Sequence, residues 1–311
     1  MKKLASPFVA AVLLLSSLPA WAAKPLLIVA TVPELADIAA RIGGERVRVE
    51  SLAKGKEDIH QVVMRPSFVA KLNKADAAVY LGLSIEDSFL TGLLAASANP
   101  ALRSDPIMQC SGPGCIDCSQ GMSVLERPET LNRAEGDIHP QGNPHYNLDP
   151  ESGARIARNI ASGLSRIDPA NAALYEKGLK EYLSELEPKV RELKARAAPL
   201  KGVKAVSYHK DVAYLGRFTG LDFIATVELK PGVAPTPTHL ASLVAVMKEQ
   251  GVRLIVREQQ YEAKTVDWLA ERTGAKVAVI GTMSGSLPGT RTYLGLCEAN
   301  LKALLAAAGK E

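Results

Sequence analysis

The sequence predicts an α/β protein of two βα-rich lobes, each with a parallel sheet, joined by one long backbone helix and holding a metal site in the inter-lobe cleft. Short apolar runs alternate with amphipathic stretches on both sides of the chain's middle, the rhythm of parallel strands connected by crossover helices. A helical spacing of apolar residues runs from residue 168 to about 198, longer than a common helix. Several good metal ligands fall just after predicted strands, where such sheets form their ligand crevice.

The chain has 311 residues, 47% hydrophobic and 23% charged, which excludes disordered, collagen-like and low-complexity classes. Residues 1–23 read as a secretory signal peptide. Lys2 and Lys3 form its positive region, Phe8 to Leu18 its apolar region, and Ala20-Trp21-Ala22 a small-x-small cleavage site near Ala22 and Ala23. The stretch is too short to span a membrane, and no later apolar run approaches that length. The expectation is an exported, periplasmic protein whose mature chain is not inserted in the membrane and is a monomer. Removing Lys2 and Lys3 takes two charges from a formal net charge of only +4, so nucleic-acid binding has no electrostatic motive.

The elements follow in order. Strands are predicted at 26–30, 47–52 and 77–81, with helices at 33–42, from 66 and from 85. Residues 102–145, rich in Pro, Gly, Ser and Cys, break the rhythm and read as an excursion over the surface or the mouth of a cleft. Pro188 inside the long helical stretch should kink it. Beyond Gly202 the rhythm resumes, with strands at 204–208, 223–227, 253–257 and 276–280. Helices are predicted at 211–219, 239–250, 263–273 and 290–308. The expected organisation is a signal peptide at 1–23, an amino-terminal lobe at 24–167, a linking helix at 168–199 and a carboxyl-terminal lobe at 200–311.

Cys110, Cys115, Cys118 and Cys297 all lie beyond the expected cleavage site. An even count in an exported chain points to oxidised, structural disulfides, with three connectivities open. The run of Cys110, Cys115 and Cys118 also fits one iron–sulfur spacing, and a thiolate metal site is a further alternative. A Cys-dependent redox role has against it that Cys115 and Cys118 do not open a helix after a strand.

The five histidines are His60, His139, His145, His209 and His239. His60 lies in the polar loop Glu57-Asp58-Ile59-His60-Gln61 after a strand, His145 in the turn Gly142-Asn143-Pro144-His145, and His209 directly after the strand ending at Tyr208. Glu258 follows another strand. His239 opens a helix behind Pro235-Thr236-Pro237-Thr238 and reads as structural. Asp149-Pro150 reads as a helix cap. Trp268 belongs to a helix core face. The glycines from 281 to 289 lack a phosphate-loop pattern.

Asn143-Pro144-His145-Tyr146-Asn147-Leu148-Asp149-Pro150 closely resembles the NPHxWxDP-type motif of periplasmic metal-binding proteins, the solute receptors of zinc and manganese ABC importers in the ZnuA/TroA-like group. Val206-Ser207-Tyr208-His209, Leu81-Gly82-Leu83-Ser84-Ile85-Glu86, the segment from Asp168 to Tyr182 and that from Tyr293 to Asn300 are similar to further family segments, so the resemblance covers the mature chain. It implies capture of a divalent metal, delivery to an inner-membrane ABC permease, and His60, His145 and His209 as the first three ligands. The family's usual fourth carboxylate has no counterpart in Ile280-Gly281-Thr282-Met283-Ser284-Gly285. Glu258, His139 or a water are the alternatives for that place. The family's His-rich loop is also missing. Three imidazoles favour Zn2+ over Mn2+, which prefers more carboxylate oxygen. The competing function is an exported hydrolase with zinc on three histidines and Glu258 as general base, against which stands the absence of an HExxH-type motif.

Overall fold

The computed structural model describes residues 24–107, 109–128, 139–230 and 232–310. The expected signal peptide, Met108, residues 129–138, Pro231 and Glu311 lie outside the described residues. The chain runs β1 (Leu26–Ala30), α1 (Pro33–Gly43), β2 (Val47–Ser51), α2 (Pro66–Lys74), β3 (Ala77–Tyr80), α3 (Leu90–Ser97), β4 (Arg103–Asp105), β5 (Gln109–Ser111) and β6 (Cys115–Asp117). Then come α4 (Gly153–Ile167), α5 (Ala172–Ala197), β7 (Lys204–Ser207), α6 (Ala213–Thr219), β8 (Asp222–Thr226), α7 (Pro237–Glu249), β9 (Leu254–Glu258), α8 (Ala263–Thr273), β10 (Lys276–Ile280) and α9 (Tyr293–Ala308).

Two parallel four-stranded sheets result, in the orders β2-β1-β3-β6 and β10-β9-β7-β8. The α/β class is therefore as the rhythm predicts. Their central strands carry Ile28, Val29, Ala77, Ala78 and Val79 in one sheet and Val206, Ile255 and Val256 in the other, all buried. Such uninterrupted burial is what helices on both faces of a parallel sheet impose.

Residues 102–145 are more than a surface excursion. They form the antiparallel pair β4–β5 and then β6, whose register Ala78↔Cys115 and Tyr80↔Asp117 completes the first sheet. Cys110, Ile116 and Cys118 are core residues. The expectation of fully oxidised cysteines needs correction: Cys110 bonds Cys115, while Cys118 and Cys297 are free, buried thiols. Cys118 follows β6 and Cys297 lies in α9, each in its own packed environment, and burial pushes both thiols up. With two of four sulfurs bonded to each other, the iron–sulfur and thiolate readings are lost.

The long helix α5 begins four residues later than its apolar spacing suggests, because Asp168 terminates α4 and Pro169–Asn171 forms a separate 3-10 turn. The Asp168 carboxylate is committed there, accepting from Arg46 at 2.8 Å and from the Tyr175 hydroxyl at 2.8 Å. Pro188 stands inside α5, which is continuous through it. The helix packs against α1 and α4 on one side of the molecule and α6 and α9 on the other. At Gly178 the approach to α1 is backbone to backbone: a Cβ there would lie 2.1 Å from the Ile42 carbonyl oxygen. The ion pairs of Glu298 with Lys189 and Arg196, both 3.2 Å, join α5 to α9 but are half-exposed and contribute little, about 0–1 kcal/mol each. The apolar stripe of Tyr175, Tyr182, Leu186 and Leu193 is what holds the helix in place.

Candidate metal centre

Loops at the carboxyl ends of the two parallel sheets bring four of the five histidines together. His60 sits in a 3-10 turn, Ile59–Gln61, that follows β2. Asp58 caps this turn by accepting from the His60 amide at 2.9 Å, which fixes the direction of the side chain. His145 ends the turn after Pro144. The Oδ1 of Asn143 lies 3.0 Å from both the His145 amide and its Nδ1. The Asn143 amide nitrogen donates to Glu126 at 2.8 Å and to the Lys210 carbonyl at 3.3 Å, so its oxygen must face His145. Nδ1 of His145 therefore carries the proton and Nε2 is left to face the cleft. Around this turn, the Tyr146 hydroxyl donates to Leu81 O at 2.6 Å and the Tyr214 hydroxyl donates to Asn143 O at 2.9 Å. Asp149 starts the following 3-10 turn, as its sequence position suggests, and its buried carboxylate also accepts from Arg217 at 2.7 Å.

His209 comes from the other lobe, two residues beyond β7. Its Nδ1 lies 2.6 Å from Oε2 of Glu228. The register explains this pairing: Ser207 stands beside Thr226, and Glu228 N donates to Tyr208 O at 3.0 Å, so His209 and Glu228 are neighbours on parallel chains. A carboxylate on Nδ1 sets the tautomer with Nε2 available to a metal.

One nitrogen each from His60, His145 and His209 falls within 4.8 Å of the others, and the Nε2 atoms of His60 and His145 are 3.0 Å apart. In a tetrahedral zinc site with Zn–N of about 2.0–2.1 Å, nitrogens stand roughly 3.3 Å from one another, so small side-chain rotations suffice to close on an ion. His139 lies alongside, its ring 5.2 Å from that of His60 and 5.8 Å from that of His145.

The electrostatics differ across the cluster. Burial, reinforced by repulsion from His60 and His209, pushes His139 down to about 3. Burial, followed by the charges of His60, His139 and His209, holds His145 well below its ordinary value. Both are neutral near pH 7, the form that binds metal. For His209, burial again disfavours the charged form, but the Glu228 hydrogen bond and the nearby charge of Asp211 outweigh it and raise the pKa.

Among the described residues Glu258 is not grouped with the three histidines. It is the last residue of β9 and is fully buried beside Asp211 and the backbone of His209. Burial and the Asp211 charge hold its pKa well above the usual carboxylate range. His239 is also away from the cluster, its amide donating to the Thr236 cap at 3.2 Å and its Nε2 lying 3.1 Å from Thr226 O. Trp268 packs at the edge of the second core.

Sequence reasoning missed Glu228 and Asn143 as the groups that orient His209 and His145. For Glu228 a signal existed: it follows its strand by the same two residues as His209 follows β7. The turn after β3, which lies beside His139, has an unusual backbone. Gly82, Leu83 and Ser84 have φ of 79°, 55° and 67°, a left-handed run that costs about 1–2 kcal/mol for each non-glycine residue. Glu86, fully buried and pushed up to about 7 by that burial, holds it by accepting from Leu81 N, Gly82 N and the Thr31 hydroxyl at 2.7, 3.0 and 2.7 Å.

The family described as zinc-uptake complex component A, periplasmic (ZnuA), matches residues 28–307. The chain belongs to this family. A high-affinity zinc uptake system protein ZnuA of Bacillus subtilis (strain 168) is 26% identical over 197 residues, 61% of this chain and 62% of that protein. The manganese ABC transporter substrate-binding lipoprotein PsaA of Streptococcus mitis is 25% identical over 256 residues, 82% of this chain and 79% of that one. A crystal structure of ZnuA superposes with a TM-score of 0.73 at 28% identity, covering 93% of this chain and 100% of the other. The chain spans less than two-thirds of the length of the first zinc-uptake relatives it matches, such as the Bacillus protein. The ZnuA family is one of periplasmic solute-binding proteins, and among the described residues no helix is long and apolar enough to cross a membrane.

Proposed function

We propose that this ZnuA-family chain captures one divalent transition-metal ion, Zn2+ before Mn2+, between its lobes and delivers it to the permease of a metal ABC importer. The observation that carries the reading is the convergence of His60, His145 and His209 within 4.8 Å, with two lobes contributing. Kinship with zinc-uptake proteins and with a manganese transporter's binding lipoprotein supports a metal cargo and a membrane partner.

The preference for zinc rests on the donors. Neutral imidazoles suit zinc, whereas manganese needs carboxylate oxygen. Glu258 is fully buried outside the trio, Glu228 is engaged on His209, and Gly281 to Ser286 after β10 contains no acid. For the fourth place the candidate is His139, whose ring lies 5.2 Å from that of His60 and 5.8 Å from that of His145, with a water as the alternative. The hydrolase alternative is weakened at its base, because Glu258 is fully buried, outside the trio of histidine nitrogens, and burial beside Asp211 holds its pKa well above the usual carboxylate range.

Competition of the purified mature protein against a chromophoric chelator tests the reading. One zinc per chain, bound more tightly than manganese, is the expected result. Equal or tighter manganese binding would sink the zinc assignment, and no binding of either would sink the receptor.

A further inference from the structure

A second buried carboxylate joins the lobes behind the histidines. Glu34, in the first turn of α1, is 0% exposed. Its Oε1 accepts from Asn147 Nδ2 at 2.8 Å and its Oε2 accepts from the Ser284 amide at 3.0 Å. The same Asn147 nitrogen donates to Thr282 O at 3.0 Å. Asn147 lies two residues beyond His145, and Thr282 and Ser284 lie in the loop after β10 of the other lobe. Three distant segments therefore meet on one side chain. The loop after β10 also touches the segment leading to His60: a Cβ on Gly55 would lie 2.2 Å from Ser284 O and 2.5 Å from Gly285 C. Gln259 Nε2 donates to Lys56 O at 3.1 Å close by.

We propose that Glu34 is a positioning residue that clasps the loop after β10 to the His145 turn, and so holds the lobes in the one alignment that brings His209 against His60 and His145. The loop offers the metal no acidic ligand of its own; its contribution is mechanical, transmitted through backbone groups. Opening this clasp separates the histidine of one lobe from those of the other, which ties metal release to the breaking of two hydrogen bonds on one carboxyl group.

Burial raises Glu34 to about 7, and the charges near it do not offset that. Asp37 on the same helix repels it, and Cys297 faces it from α9 as a neutral thiol. Asn147 and Ser284 supply hydrogen bonds without charge. The clasped carboxyl holds its proton more tightly than an open, hydrated one, whose pKa is the ordinary 4.5. Acidification from pH 8 to 6 therefore favours the clasped state, and rising pH loosens it.

This inference rests on the reading that the histidines hold the metal, and its test separates the two. Amide exchange on the metal-free protein reads the clasp, and zinc competition reads its consequence. In Glu34→Ala, exchange at Ser284 should quicken about tenfold or more, for loss of hydrogen bonds to a carboxylate. Asn147→Ala, which removes the opposite donor, should act in the same direction if Glu34→Ala does not fold. In the wild type, opening at Ser284, corrected for intrinsic exchange, should be rarer at pH 6 than at pH 8, and Glu34→Gln should abolish that difference. Zinc affinity should fall about tenfold in Glu34→Ala with all histidines intact. Unchanged exchange at Ser284 in both alanine variants would overturn the clasp. A pH dependence retained in Glu34→Gln would overturn the part played by this carboxyl group. Faster exchange with unchanged zinc affinity would overturn its positioning role. A wild type that binds no zinc would instead refute the receptor reading, with the exchange results still deciding the clasp.

Discussion

In the amino-terminal sheet the strands lie in the order second, first, third, fourth along the chain, and the carboxyl-terminal sheet repeats that order as β8, β7, β9 and β10. The loops at the two carboxyl edges are nevertheless filled with different chemistry. The amino-terminal lobe contributes His60, His139 and His145, crowded together, with burial and mutual repulsion pushing His139 and His145 down. The carboxyl-terminal lobe contributes His209 alone, with Glu228 at 2.6 Å and Asp211 near it, and its pKa rises. One scaffold thus presents neutral imidazoles from one side and an imidazole backed by carboxylate from the other. The difference lies in a handful of loop residues, which is where function in such folds is carried.

The contrast can be broken at its ligands first. His145→Ala and His209→Ala should each weaken zinc binding about 100-fold or more, since loss of a ligand exceeds the roughly 10–100-fold typical for loss of the group behind one. His239→Ala should leave affinity unchanged. Chelator competition checks both, and equal damage from His239→Ala would refute the proposed ligand set. Next in size is Glu228→Gln, expected to lower affinity by about 10-fold. It should also move the acid limb of binding. His209, with its raised pKa, takes a proton before His139 and His145 as pH falls. Affinity should therefore drop as pH falls through the His209 value, and that drop should shift to lower pH in Glu228→Gln. An unshifted limb would show that another group governs it.

The smallest effect on binding belongs to Glu258→Gln, which should change zinc affinity by less than about 3-fold because its carboxyl group lies outside the cluster. Its stability effect carries a definite sign. The folded pKa lies above the unfolded value of 4.5, so the wild type is relatively stabilised below pH 4.5 and loses that stabilisation as pH rises. Thermal melting should show Glu258→Gln more stable than wild type at pH 8, with the advantage gone at pH 4. A loss of stability at pH 8 would mean that the ionised carboxylate has a partner it needs.

Much of the fold is legible along the chain because its signals are local. The run 276–280 and the stretch 263–273 are strand and helix as their periodicity demands, and His239 is a helix-start residue as its Pro-rich prelude implies. Other elements are misread for reasons equally physical. Cys115–Asp117 is too short and too polar to announce a strand, and becomes one only because β3 offers it a free edge. Residues 85–89, expected to be helical, are instead turns held by the buried Glu86, a tertiary demand overriding local propensity.

By itself the sequence determined the α/β rhythm, the long connecting helix and the histidines that stand at strand ends, because periodicity and turn chemistry act within a few residues of one another. Tertiary structure alone decided which acids serve those histidines. Glu258 ends β9 and Glu228 stands two residues beyond β8, yet one is buried beside Asp211 and the other meets the ring of His209. The pairing of Cys110 with Cys115, the freedom of Cys118 and the grip of Glu34 on Ser284 were decided in the same way. Each depends on the direction of a side chain across a sheet or a cleft, and on what burial costs its charge, and neither is encoded in spacing along the chain.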